Sequence, residues 1–373
     1  MGPLEGIYYL GYSLRKSLDL RNERRLPKRV ISVGNITVGG TGKTPAVIAI
    51  AQKAQEDGFG PCILTRGYGG KAKGPCFISK GDGALIGIKE AGDEPILLAE
   101  TLKGVPVVKG KERFAAGMFA LRHLEPQPQL FILDDGFQHR KLYRDMNILL
   151  IDGTDPFGNR KLLPSGRLRE PLYEMKRADV IVITRTSRVL SGVSCFSPPC
   201  LPPISPKESS SAGDSIWRLI NEIRAFNQSA PVFLSDHRPT SLRTLSGSAF
   251  QSHLLSGKRV FGFCGIGNPG SFRDTLLGIT AEVTEIAVFR DHVMYTASDA
   301  RMIARDARKC RAEWIVTTEK DIMKFREIAL PDGMAGRLVS LGIEFVAAND
   351  FYETVLQGGL DDQVRKRKKP DTK

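Results

Sequence analysis

The stretch Ile31-Ser-Val-Gly-Asn-Ile-Thr-Val-Gly-Gly-Thr-Gly-Lys-Thr-Pro45 constrains the fold more than any other part of this chain, because it joins a short apolar strand to a glycine-rich turn and then to a helix. A strand that hands over to a helix in this way opens a β-α-β crossover, and repeated crossovers build a parallel sheet with helices on its faces. Gly39, Gly40 and Gly42 allow backbone angles closed to other residues, so successive N–H groups can converge on one anion. The positive end of the helix that opens near Lys43 reinforces them. Lys43 adds a mobile cation and Thr44 a hydroxyl suited to Mg2+, which makes Thr37, Val38, Gly39, Gly40, Thr41, Gly42, Lys43 and Thr44 a candidate phosphate cradle. The strict spacing G-x-x-x-x-G-K-[ST] is not met, since Thr37 stands where its first glycine belongs. A glycine-rich turn without a ligand is the bland alternative; the plausible helix Ala46-Val-Ile-Ala-Ile-Ala-Gln after G-K-T argues against it.

Further apolar runs extend the pattern. Pro61-Cys-Ile-Leu-Thr65 reads as a buried strand ending in Arg66-Gly-Tyr-Gly-Gly70, a position where α/β sheets carry ligand loops. Arg66 is placed to reach a phosphate there, or to be a solvated arginine after a plain turn. Gly92-Asp-Glu-Pro95 precedes a helical stretch, and Asp93 reads either as a functional carboxylate or as a helix cap. Val105–Val108 reads as a strand and Lys111–Leu124 as a helix. The uniformly apolar Leu130-Phe-Ile-Leu133 ends in Asp134-Asp135-Gly-Phe-Gln-His-Arg140. Two adjacent carboxylates repel unless a cation is near, so Asp134 at the strand tip is a candidate metal ligand. Asn147–Ile151 and Ala178–Thr184 are two more buried strands, separated by a proline- and glycine-containing loop that carries Lys161, Arg167 and Arg169.

The length of 373 residues exceeds a single core and favours two domains. The expected boundaries are an N-terminal amphipathic basic helix over 1–29, a nucleotide-binding domain over 30–185, a Ser/Pro-rich linker over 186–215, a second α/β domain over 216–360 and a charged tail over 361–373. Six cysteines show no metal-ligand spacing, and no zinc site is expected. No run approaches the length of a spanning helix and no cleavable signal pattern opens the chain, so a cytoplasmic protein is expected. The net charge of +13 calls for an anionic partner. With no nucleic-acid-binding signature beside it, a membrane surface or a phosphorylated substrate is preferred to nucleic acid. Leu4, Ile7, Tyr8, Gly11, Leu14 and Leu18 recur at helical spacing ahead of a basic run from Arg15 to Arg29. Such a helix lies on an anionic membrane or packs on the protein's own core; spacing does not choose.

Taken together the motifs resemble the tetraacyldisaccharide 4′-kinase family, which phosphorylates a lipid A precursor. The resemblance rests on Val33-Gly-Asn35 with Gly39–Pro45, Thr65–Gly70, Gly92–Pro95, Leu133–Arg140, Leu162–Pro171, Gly265-Ile-Gly-Asn-Pro269, Asp291-His292 with Tyr295, and Thr318-Glu-Lys-Asp321, in order along nearly the whole chain. The sequence departs from the family pattern at Val293, where a second histidine is usual, at Pro164–Leu168, and in a longer Ser/Pro stretch. The resemblance implies an α/β fold, a P-loop NTPase-like doubly wound parallel sheet domain followed by a smaller α/β domain with the reaction cleft between them. It implies ATP and Mg2+ as cofactors and a tetraacylated glucosamine disaccharide 1-phosphate as lipid substrate. It places the protein peripherally on the cytoplasmic face of the bacterial inner membrane, with no obligate protein partner. By the same likeness Lys43, Asp93 and His292 would be catalytic, Asp93 accepting the hydroxyl proton and His292 orienting it from the other domain. Thr44, Asp134 and Glu94 would hold metal, and Arg66, Tyr68, Asp135, Gln138, His139, Arg167 and Arg169 would contact substrate. The rival from another class is a nucleotide switch or metallochaperone-like GTPase, against which stands the absence of an N-K-x-D guanine-reading motif.

Overall fold

The computed structural model describes residues 2–186 and 211–358. The expected tail over 361–373, and all of the expected linker except Thr186 and 211–215, lie outside them; Ser211 already opens a helix. In chain order the first elements are α1 (Pro3–Arg21), β1 (Arg29–Gly34), α2 (Lys43–Glu56), β2 (Pro61–Thr65), β3 (Cys76–Ser79), α3 (Asp93–Thr101), β4 (Val107–Lys109), α4 (Arg113–His123), β5 (Leu130–Asp134), β6 (Met146–Asp152), β7 (Val180–Thr184) and α5 (Ser211–Phe226). There follow β8 (Val232–Thr244), β9 (Ala249–Gln251), β10 (Arg259–Cys264), α6 (Pro269–Gly278), β11 (Glu282–Val288), α7 (Ala297–Lys309), β12 (Trp314–Thr318), β13 (Leu338–Ala347) and α8 (Asn349–Gln357).

The chain forms two compact units. The first comprises the residues up to Arg66, Gly110–Asp236 and the chain from Phe345 onward; the second comprises Gly67–Lys109 and His237–Glu344. In the first unit the strands run β8-β7-β6-β1-β5-β2 and every pairing is parallel. All residues of β2, β5, β6 and β7 are buried, as expected of parallel strands covered on both faces. A core of Ile36, Phe137, Leu149, Ile181, Met175 and Ile223 fills one side of this sheet. In the second unit β11, β10, β12 and β13 are parallel neighbours, β9 pairs antiparallel with the end of β8, and β3 pairs antiparallel with β4. Phe261, Phe263, Ile303, Ile315 and Phe325 form its main core.

Residues 67–109 belong to the second unit, where a linear reading puts them in the nucleotide-binding half, and residues 216–236 belong to the first. Asp93 and His292 therefore share one unit, not two.

Candidate functional site

Gly39 and Gly42 hold φ of 122° and 84°, left-handed values that a side chain would strain. A Cβ on Gly40 would meet nothing within 4 Å, whereas one on Gly39 would run into the Arg167 guanidinium, so the turn is open at Gly40 and covered at Gly39. Gly42 caps α2, whose first residue is Lys43. The Lys43 ammonium is almost buried, donates to Asn35 Oδ1 at 3.3 Å and lies 3.6 Å from Asp135. In register, Val33 pairs with Asp134, so the acidic tip of β5 stands beside the strand that feeds the glycine turn. Thr65 Oγ1 donates to Asp134 Oδ2 at 3.3 Å from the end of β2. Thr44 is buried in the first turn of α2.

The loop over 155–171 straps this turn. Val38 N donates to the Arg167 carbonyl at 2.7 Å and Arg169 N to the Ile36 carbonyl at 2.8 Å. The Arg167 guanidinium reaches back to Val38 O at 2.9 Å and pairs with Asp155. Arg169 forks onto both oxygens of Asp135, at 3.1 and 2.9 Å. Burial would raise the Asp135 pKa, but Lys43 and Arg169 hold it well below the usual carboxylate range. Gln138 donates to Asn35 O at 2.7 Å and so braces the cradle. His139 is a different case: burial, then Arg113 and Arg144, push its pKa down to about 3, so its ring is neutral and supplies no cation for a phosphate. Arg66 is exposed at the end of β2.

The second unit brings together Tyr68, Asp93, Glu94 and His292. Gly92, not Asp93, caps α3, and no side chain caps that helix. Asp93 is its first helical residue and accepts Glu94 N at 3.0 Å. Its carboxylate also receives His292 Nδ1 at 3.0 Å and the Lys324 ammonium at 3.2 Å. Burial opposes ionisation of Asp93, yet the His292 hydrogen bond and the Lys324 and Lys320 charges hold its pKa far below normal. The same hydrogen bond raises the His292 pKa against its own burial. His292 sits at φ 57°, and its ring lies 5.3 Å from that of the exposed Tyr68. Glu94 is taken up by Lys320.

Several residues here were not among the candidates drawn from the sequence. Asn35 matters through its contact with Lys43. Lys324 matters because it spans Asp93 and Asp321, but a lysine three residues past an aspartate reads like any surface pair. Arg140, Arg177, Glu170 and Glu174 form a buried ionic cluster behind the strap. To it α1 is tied by Tyr12 and Lys16, each bonded to Glu174, and by Tyr8, bonded to the Arg169 carbonyl at 2.9 Å.

The chain as a whole is similar to known proteins. A family model described as tetraacyldisaccharide-1-P 4′-kinase matches residues 1–359. A protein of Syntrophus aciditrophicus called tetraacyldisaccharide 4′-kinase is 40% identical over 338 residues, covering 87% of this chain and 84% of its own. One of the same name from Pelobacter propionicus is 37% identical, with coverages of 93% and 88%. A crystal structure of LpxK from Aquifex aeolicus, described as in complex with ATP, superposes with a TM-score of 0.69 at 30% identity, covering 96% of this chain and 97% of that one. With a family model matched over nearly its whole length and relatives this similar, the chain belongs to the tetraacyldisaccharide-1-P 4′-kinase family.

Proposed function

We propose that this chain transfers the γ-phosphoryl group of ATP to the 4′-hydroxyl of a tetraacylated glucosamine disaccharide 1-phosphate, a step of lipid A biosynthesis. The observation that carries the mechanism is the 3.0 Å bond between His292 and Asp93, in a chain that also holds an open glycine cradle with Lys43 at its helix start. The cradle amides and Lys43 bind the phosphates of ATP and stabilise the charge that grows on the transferring group. Asp93 accepts the proton of the sugar hydroxyl as its oxygen bonds to the γ-phosphorus and the bond to the β-phosphate bridge breaks; ADP leaves. His292, bonded to Asp93, holds that carboxylate in its accepting geometry. Arg169 and Arg167 order the strap beside the cradle, and with Arg66 and Tyr68 they are the remaining candidates for substrate contact.

Among the described residues no cluster of three or more His, Cys, Asp or Glu is arranged to hold a metal. The donors near the cradle are a hydroxyl and a carboxylate, which fits Mg2+, a hard cation that takes one or two protein oxygens and completes its shell with water and substrate phosphate. Thr44 and Asp134 would hold it, and it would neutralise charge on the phosphate oxygens. Glu94, already engaged by Lys320, is left out of this set.

No described helix is long and apolar enough to cross a membrane. One face of α1 is bonded to the strap; the other exposes Leu4, Ile7, Leu10, Leu14 and Leu18, with Ile7 70% exposed. Arg15 and the basic residues that follow α1 favour an anionic lipid surface as the occupant of that face, and on this reading the protein works at the cytoplasmic face of the inner membrane. The test is transfer of label from [γ-³²P]ATP to the purified disaccharide lipid, resolved by thin-layer chromatography. A labelled lipid that disappears with Lys43→Ala is expected; nucleotide hydrolysis with no labelled lipid would instead favour a switch protein.

A further inference from the structure

We propose that Lys324 is a positioning residue for the Asp93 carboxylate, fixed in turn by Asp321. The inference rests on the reading of Asp93 as the proton acceptor. Lys324 sits in the 3-10 turn Met323–Phe325 with its side chain 1% exposed. Its Nζ lies 3.1 Å from Asp321 Oδ1 and 3.2 Å from Asp93 Oδ2, and stands 5.8 Å from the centre of the Tyr295 ring. Asp321 does not need this cation to be satisfied: its Oδ2 already accepts Gly265 N at 2.9 Å and Thr318 Oγ1 at 2.8 Å. Those two bonds fix Asp321 to the end of β10 and to the helical turn that starts at Glu319, so the lysine hangs from an anchored carboxylate.

Asp93 is thereby held from three directions. Its Oδ1 accepts the Glu94 amide, His292 faces both oxygens at 3.1 and 3.0 Å, and Lys324 takes Oδ2. An aspartate at a helix start can turn about its own side-chain bonds, and a base that must meet a hydroxyl in one geometry gains from having those turns removed. The surrounding charges are Lys320, paired with Glu94, and Asp291, 3.8 Å from His292. One ammonium between two carboxylates leaves a net negative charge, which the His292 ring faces.

The experiment uses the full chain. Lys324→Met alone takes a buried positive charge from between two carboxylates, so the decisive variant is Lys324→Met/Asp321→Asn, which removes one charge of each sign. Melting temperature, kcat, and KM for ATP and for the lipid are measured beside Asp93→Asn. The expected result is a melting temperature within a few degrees of wild type, a KM for ATP within twofold, and kcat lowered at least tenfold. Adding Lys324→Met to Asp93→Asn should then cost little more. Recovery of wild-type kcat in the double variant overturns the inference and leaves Lys324 a charge-balancing residue. Should the double variant not fold, Lys324→Gln assayed well below its melting point decides: kcat lowered at unchanged KM for ATP supports the role, and wild-type kcat overturns it. Failure of the parent reading looks different, since Asp93→Asn would itself keep wild-type kcat.

Discussion

Asp135 and His292 both hold left-handed backbone angles, φ 50° and 57°, which cost a residue with a side chain about 1 kcal/mol or more and persist only when surroundings impose them. The Asp135 side chain is held by Arg169 and Lys43, and the His292 ring by Asp93. Lys43→Ala should lower the transfer rate by two orders of magnitude or more, about 3 kcal/mol, in a steady-state assay with the fold intact by circular dichroism. Activity within threefold of wild type would remove the cradle from the mechanism. For Asp93 and His292 the check is a double-mutant cycle on kcat. Acting as one unit, Asp93→Ala/His292→Ala should be little slower than the slower single variant. Because the pair raises the His292 pKa, its contribution to stability is full below about pH 6.5 and is lost as pH rises through the raised value. Because it lowers the Asp93 pKa, that contribution is present above about pH 4 and is lost as pH falls through the lowered value. The melting-temperature gap between wild type and His292→Ala should therefore be widest near pH 5 to 6 and narrow toward pH 9; a gap that widens toward pH 9 contradicts the ion pair. Of these residues, Lys43 was legible because its chemistry is bound to a local pattern, strand then glycines then helix. The Asp93–His292 pair was legible only through family likeness, since 199 residues separate its members. Lys324 was not legible at all, because nothing in its neighbours marks a lysine as buried.

Among the elements, α1 shows why periodicity left two readings open. The helix docks on the protein through Tyr8, Tyr12 and Lys16 on one side, and its leucine stripe faces outward on the other, so docking does not use up its apolar face. Ile7→Glu/Leu14→Glu should weaken co-sedimentation with phosphatidylglycerol vesicles at low salt and leave the melting temperature near wild type, because neither side chain packs inside. Unchanged sedimentation would sink the membrane reading. Tyr12→Phe should do the reverse, costing about 1 kcal/mol of stability with little effect on vesicle binding, since it removes one hydrogen bond to a buried carboxylate. Strands β2, β5, β6 and β7 of the first unit were readable because burial on both faces makes them nearly uniformly apolar. Strands β8 and β11 were not, because half-exposed residues along them blur both the apolar run and the period of two. The short β3 and the 13-residue β8 were also masked by polar residues at their ends.

At the scale of the molecule, the parallel sheet of the first unit followed from the sequence, but the division of the chain did not: composition marks linkers, and the crossings at residues 66/67 and 109/110 have none. The cradle and the Asp93–His292 pair lie in different units. Asp93→Asn should accordingly leave ATP affinity within about twofold of wild type by isothermal titration, while Lys43→Ala weakens it; equal loss in both would contradict the assignment of the two roles. The second unit is assembled from residues 67–109 and 237–344, with residues 110–236 of the first unit between them. On the ribosome, at about 5–20 residues per second, Asp93 emerges roughly 10–40 s before His292 and longer still before Lys324. During that interval the first segment has its carboxylate but neither partner, while the intervening residues can already pair their strands. The nascent chain must therefore carry the acidic half of its candidate base exposed through most of synthesis, a window in which chaperone engagement of residues 67–109 is the expected consequence.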